Sequence, residues 1–205
     1  MTERFKNCKI KELVNIKNMA KRKRISKEQH YMNIARVVSL RTSCFRAQHG
    51  SIIVKNDQII STGYTGAPRN TKDCFERNSC LRREMNIPSG QRYELCRSVH
   101  SEQNAIINAA RAGVSTIGSR MYLYSVKLDE NGKVVPINAF PCFICKKEIV
   151  NAGISEMACH QTDGSIKVYK TKDWAKKWQK KDLLDDMVQY GVKTVKSKVK
   201  NNINL

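Results

Sequence analysis

The sequence predicts an α/β protein: a three-layer α/β/α sandwich around a mixed central sheet, with helices on both faces. Three observations carry this. Strand-like and helix-like periodicities alternate from Ser26 onward. The strand centre Ser51-Ile-Ile-Val54 is nearly all apolar, as in a sheet covered on both sides. Finally, His100-Ser101-Glu102 and Pro141-Cys142-Phe143-Ile144-Cys145 each stand at the start of a helical pattern, which suits a scaffold that brings two chain segments to one point.

Taken in order, the first twenty-five residues form a basic extension with a short helical pattern through Ile10, Leu13, Val14 and Ile16. Ser26 is an N-cap candidate, with Gln29 three residues on to complete a capping box. Tyr31, Ile34, Ala35, Val38 and Leu40 follow at helical spacing, predicting a helix to about Arg41. Ser51–Val54 and Gln58–Thr62, joined across Lys55-Asn56-Asp57, predict a β-hairpin. From Gly63 to Val99 periodicity is lost among Gly66, Pro68, Asn70, Asp73, Pro88, Ser89 and Gly90. A loop of that length in a compact domain is usually functional or restrained.

His100 opens a helix through Ala105, Ile106, Ala109 and Ala110, which Gly113 ends. Ser119–Tyr124 is a strand, and Asp129-Glu-Asn-Gly132 marks the turn of a hairpin inserted over Lys127–Asn138. Pro141 is expected in the first turn of the helix that carries both cysteines, ending near Gly153. Ile154–Cys159 is a further strand, and Trp174, Trp178, Leu183, Leu184 and Met187 outline a C-terminal helix. This gives three parts: a basic extension over 1–25, the α/β domain over 26–165, and a Lys-rich helix and tail over 166–205.

The chain of 205 residues has a net charge of +20, distributed unevenly. Residues 1–30 carry +7, residues 31–166 only +6, and residues 167–205 again +7. Basic ends can hold nucleic acid through phosphate contacts, and Lys21-Arg22-Lys23-Arg24 resembles a nuclear-import patch. The competing reading is a solvated Lys-rich surface, which the lack of interleaved aromatic residues favours. No apolar run long enough for a membrane span occurs, and the first residues lack the apolar core of a secretory signal. Eight cysteines without an export signal indicate a reducing, cytoplasmic setting and metal ligation rather than disulfides.

Cys142 and Cys145 offer two thiolates from one helical turn, and His100 offers an imidazole. Three protein ligands leave the fourth tetrahedral position open, which separates a catalytic zinc from a closed structural one. Zinc held this way lowers the pKa of water to about 7. Glu102, two residues past the histidine, is close to the metal without being needed as a ligand, and is the candidate proton carrier. A purely structural zinc beside an incidental Glu102 is the alternative, and a lone C-x-x-C would favour it.

Cys44, Cys74, Cys80 and Cys96 are the candidate ligands of a second, structural zinc that would tie the long loop to the start of the catalytic helix. Their C-x5-C and x15-C spacing is no standard finger, so ordinary reduced thiols are the competing reading. His49 is the alternative fourth ligand. Cys8 and Cys159 are expected to be plain thiols, and His30 and His160 ordinary surface or strand-end residues.

The pattern H-x-E followed by P-C-x-x-C is recognised as the signature of zinc-dependent nucleobase deaminases. With Gly63-Tyr64-Thr65-Gly66-Ala67-Pro68-Arg69, Val99-His100-Ser101-Glu102-Gln103-Asn104-Ala105-Ile106 and Asn151-Ala152-Gly153-Ile154, residues 26–160 resemble deoxycytidylate (dCMP) deaminases of the cytidine deaminase superfamily. The resemblance implies a cytidine deaminase-like fold and hydrolysis of dCMP to dUMP and ammonia, feeding thymidylate synthesis. It implies a homo-oligomer, often a hexamer, activated by dCTP with Mg²⁺ and inhibited by dTTP. His100, Cys142 and Cys145 would bind the catalytic zinc, with Glu102 as base and then acid. Related members carry a second zinc on equivalent cysteines. Thr65, Gly66, Ala67 and Arg69, with Ser101, are the implied substrate contacts; Arg69 and Arg97 are candidate phosphate partners, against the favoured reading of arginines simply solvated on a loop.

Three departures stand out. Thr65 replaces the family's asparagine in G-Y-N-G, Ser101 replaces alanine in H-A-E, and Lys127–Asn138 is inserted before the ligand helix, where it would reshape the mouth. Two other readings remain: a deaminase acting on a base in single-stranded nucleic acid, and a zinc-stabilised nucleic-acid-binding protein without turnover.

Overall fold

The computed structural model describes residues 24–88 and 91–180. The helical pattern over Ile10–Ile16, the basic cluster at 21–23, Cys8 and the residues beyond 180, Leu183, Leu184 and Met187 included, lie outside these. Helix α1 (Lys27–Ser39) leads into the hairpin of β1 (Ala47–Lys55) and β2 (Gln58–Tyr64). The long segment that follows holds a single helical turn, α2 (Leu81–Glu84), and a 3-10 turn, Tyr93–Leu95. After it come α3 (Ser101–Arg111), β3 (Arg120–Leu128), β4 (Val134–Pro136) and α4 (Phe143–Asn151). The edge pair β5 (Glu156–His160) and β6 (Ile166–Lys170), then α5 (Thr171–Lys180), complete it.

The strands form one mixed sheet in the order β2-β1-β3-β5-β6, with β4 paired to β3. Every ladder is antiparallel except β3 with β5. Alternation along each strand divides the sheet into two faces. Ile52, Val54 and Tyr122 pack against Tyr31, Met32 and Ala35 of α1. Ile53, Met121 and Leu123 face the other way, onto Ala105 of α3 and Cys145 and Ile149 of α4. The expected three-layer sandwich is therefore present. Among the described residues, no helix is long and apolar enough to cross a membrane.

Two glycines let the helices approach. A Cβ on Gly50 would stand 2.2 Å from the Ala35 carbonyl oxygen of α1, and one on Gly63 2.3 Å from Ala105 N and Ser101 O of α3. The hairpin turn uses Asn56 and Asp57, both at positive φ, as a two-residue turn between right-twisted strands requires. The inserted hairpin also forms: Asp129 Oδ1 accepts from Asn131 N and Lys133 N, and Gly132 sits at φ +77°.

Several expectations are corrected in detail. Ser26 Oγ accepts from Gln29 N at 3.1 Å, but the Gln29 side chain donates to Asn33 Oδ1 instead of turning back, so the capping box is half made. Pro141 precedes the helix. Cys142 is itself the N-cap of α4, its Sγ accepting from Cys145 N at 3.5 Å. Past residue 165, β6 still pairs with β5, and Trp174 of α5 packs edge-on against Phe140.

Candidate active site

The two motif segments meet at the helix starts. His100 is the N-cap of α3, and its N–H donates to Gln103 Oε1 at 3.0 Å. Gln103 Nε2 in turn donates to Glu148 Oε1 of α4 at 2.8 Å, so one side chain sets the histidine and ties the two ligand-bearing helices. His100 Nδ1 lies 3.3 Å from both Cys142 Sγ and Cys145 Sγ. Among the described residues these three are the group of possible metal ligands whose donor atoms all lie within 4.8 Å of one another. Two soft thiolates and an imidazole, converging with no other ligand between them, fit a zinc ion with one position open.

The electrostatics of the cluster follow from this crowding. The hydrogen bond from Cys145, together with His100, holds Cys142 down at about 6 against the effect of burial. Cys145, beside that thiolate and buried, is pushed well up. Burial alone would lower the His100 imidazole, but Cys142 and the Glu102 and Glu148 carboxylates outweigh it and raise it. An edge-on Tyr93 ring, 4.8 Å away centroid to centroid, braces the imidazole, and Arg82 stacks over that ring.

Glu102 is 5% exposed and shares a cavity of about 770 Å³ with His100, Cys142, Thr65 and His49. The Ser101 hydroxyl donates to its Oε2 at 2.8 Å, and Ser51 Oγ of β1 lies 2.9 Å from Ser101 Oγ. Helix α3 is fixed on β2 by Asn104 Nδ2 to Tyr64 O and Asn108 Nδ2 to Thr62 O, both 2.8 Å.

Of the loop residues named from the sequence, Thr65 lines the cavity, whereas Gly66, Ala67 and Arg69 do not. Gly66 forms a backbone bridge with Val99, so it orders the approach to His100. Arg69 Nη2 donates to Asn108 Oδ1 at 2.7 Å and Arg97 Nη1 to Ser79 O at 2.9 Å, so neither guanidinium faces the cavity as a phosphate partner. The cations lining it are Arg46, Arg82, Arg83 and Lys127, which sequence reasoning missed. The inserted hairpin does shape the mouth, through Lys127, Leu128, Asp129, Glu130 and Ile137.

Cys44, Cys74, Cys80 and Cys96 gather on this same cavity, and burial pushes the Cys44 and Cys74 thiols up. Cys44 and Cys74 each feel the charge of other cysteines of the four, but among the described residues the four do not form a converging ligand group like that of His100, Cys142 and Cys145. His49, the alternative fourth ligand, instead places Nδ1 2.8 Å from Ser125 Oγ. Burial and the nearby His100 lower its pKa, against the pull of Glu102.

Residues 25–161 match the family model described as the cytidine and deoxycytidylate deaminase zinc-binding region. This chain belongs to that family. A deoxycytidylate deaminase of Saccharomyces cerevisiae is 30% identical to this family member over 158 residues, 75% of this chain and 45% of the yeast protein. One from Schizosaccharomyces pombe is 28% identical over 67% of this chain and 38% of its own length. The chain thus spans less than half the length of these curated relatives. Among solved structures, the apo dCMP deaminase of cyanophage S-TIM5 is similar at 25% identity, with a TM-score of 0.44, over 67% of this chain and 85% of that one.

Proposed function

We propose that this chain catalyses zinc-dependent hydrolytic deamination of a cytosine nucleotide, dCMP to dUMP and ammonia. The observation that carries the proposal is the placement of a buried Glu102 carboxylate in one cavity with His100 and Cys142, two of the three members of the His100, Cys142 and Cys145 cluster. A site that only held structural zinc would have no use for a buried carboxylate in the same cavity. The curated relatives named deoxycytidylate deaminases support the choice of substrate.

His100, Cys142 and Cys145 would hold the zinc, whose role when bound is to make a water acidic enough to react near neutral pH. Glu102 takes a proton from that water and delivers it to ring nitrogen N3 of cytosine. It then carries the second proton to the exocyclic amine, which leaves as ammonia. Ser101, bonded to Oε2, fixes the carboxylate rotamer and leaves the other oxygen for transfer. The burial of Glu102, 5% exposed, keeps bulk water from competing for these protons.

The proposal extends to a second zinc on Cys44, Cys74, Cys80 and Cys96, supported by all four lining the same cavity. It also extends to a homo-oligomer, to activation by dCTP with Mg²⁺ and to inhibition by dTTP, which rest on the similarity to deoxycytidylate deaminases. The test is ammonia release from dCMP, CMP, dCTP and a cytosine-containing single-stranded oligonucleotide, with and without dCTP and Mg²⁺. Turnover of dCMP is the expected result. Turnover of the oligonucleotide alone would refute the substrate assignment.

A further inference from the structure

Three polar side chains occupy neighbouring positions of the sheet, and two of them, Thr65 and His49, line the cavity. Residues opposite one another in antiparallel strands present their side chains on the same face. His49 is opposite Ser125 in the β1–β3 ladder, and the Thr65 N–H donates to the His49 carbonyl at 3.2 Å just past the end of β2. Thr65, His49 and Ser125 therefore share the face on which α3 lies.

Two of the three hold unspent hydrogen-bonding capacity. Thr65 is 6% exposed, and its Oγ1 has no partner. His49 commits Nδ1 to Ser125, while among the described residues its other ring nitrogen makes no hydrogen bond although the ring lines the cavity. Buried polar groups are normally bonded, so an unbonded hydroxyl beside a free imidazole nitrogen in a ligand-sized cavity marks a place for a ligand atom.

Strand β1 then acts as a ruler, with same-face residues about 7 Å apart. Ser51 is bonded to Ser101, and Ser101 to Glu102, beside which the base reacts in the deaminase reading. His49 is the next same-face residue outward. Ala47 follows, opposite Lys127 and next to Arg46, and both cations line the cavity. Base, pentose and phosphate follow one another in the same sequence along a nucleotide.

We infer that His49 is a specificity-determining residue of this pocket, which together with Thr65 hydrogen-bonds the pentose hydroxyl of a bound cytosine nucleotide. This rests on the deaminase reading above. The notable feature is a histidine that meets the ligand through the sheet floor while Ser125 fixes its ring from the next strand.

The test is calorimetric binding of dCMP and of its 2′,3′-dideoxy analogue, which lacks the hydroxyl, to the zinc-loaded full chain carrying Glu102→Gln to prevent turnover. One neutral hydrogen bond corresponds to a preference for dCMP of about three- to tenfold. Adding His49→Val or Thr65→Val should lower affinity for dCMP alone and carry that ratio toward one. His49→Gln, which keeps a polar group at this position, should restore part of it. Equal loss of both ligands, or no loss of either, would overturn the inference while leaving the deaminase reading intact. A parent protein that binds neither ligand would overturn both.

Discussion

Ser101 Oγ lies 2.8 Å from Oε2 of Glu102 and 2.9 Å from Ser51 Oγ, so the candidate proton carrier is held by a two-hydroxyl chain anchored in the sheet. Both serines are fully buried. The serine in place of alanine beside the candidate catalytic carboxylate is thus part of a network.

Ser101→Ala should therefore lower kcat more than it raises KM, because Glu102 loses the bond that fixes its rotamer. It also leaves Ser51 Oγ buried without a partner, at a cost of about 1–3 kcal/mol. The Ser51→Ala, Ser101→Ala double variant should lose less stability than the sum of the two single changes, since the orphaned hydroxyl is gone. Chemical denaturation and steady-state kinetics on all three variants check this.

Gly63→Ala and Gly50→Ala place a methyl group equally deep in helix backbone, but under different helices. Each should destabilise the fold by at least the ~1–3 kcal/mol typical of overpacking. Gly63→Ala acts on α3, which begins at the His100 cap, and should also reduce zinc content and turnover. Gly50→Ala acts on α1 and should leave zinc content unchanged in whatever protein folds. Metal analysis beside thermal melting separates the two.

Zinc uptake should be linked to pH with a definite sign. In the metal-free protein Cys142 ionises near 6, whereas Cys145 is held protonated well above its ordinary value. At pH 7.5 binding therefore displaces about one thiol proton, from Cys145, in addition to whatever His100 releases. Below pH 6 the Cys142 proton must leave as well, so affinity should fall more steeply as pH drops. Titration calorimetry in buffers of different ionisation enthalpy reads the proton count directly.

Metal analysis of the purified chain should give two zinc ions per protomer. Cys74→Ser or Cys80→Ser should lower this to one, with a lower melting temperature and His100-site zinc retained. A single zinc in the unmodified chain would remove the second site.

The chemistry-bearing residues were legible in the sequence because their spacing is local. His100 and Glu102 sit in the same turn, as do Cys142 and Cys145, and only the meeting of the two turns needed the fold. His49 was legible only as a spare ligand, since its role depends on a partner seventy-six residues away on β3. Loop position alone leaves Arg69 and Arg97 between phosphate contact and solvation; in the fold Arg69 bonds to Asn108 and Arg97 to Ser79. Strand β6 was missed because Ile166-Lys-Val-Tyr-Lys170 is a short, Lys-bearing edge, a composition that suppresses strand signal and blunts unwanted pairing alike. The domain boundary expected at residue 165 falls directly before it.

The central claim is that Glu102 moves the protons of a zinc-dependent deamination. Ammonia release from dCMP by Glu102→Gln, measured beside zinc content and melting temperature, tests it most directly. The account predicts a loss of turnover of about 10²–10⁴-fold or more, with zinc and fold retained. Turnover near that of the unmodified chain, with zinc still bound, would contradict it.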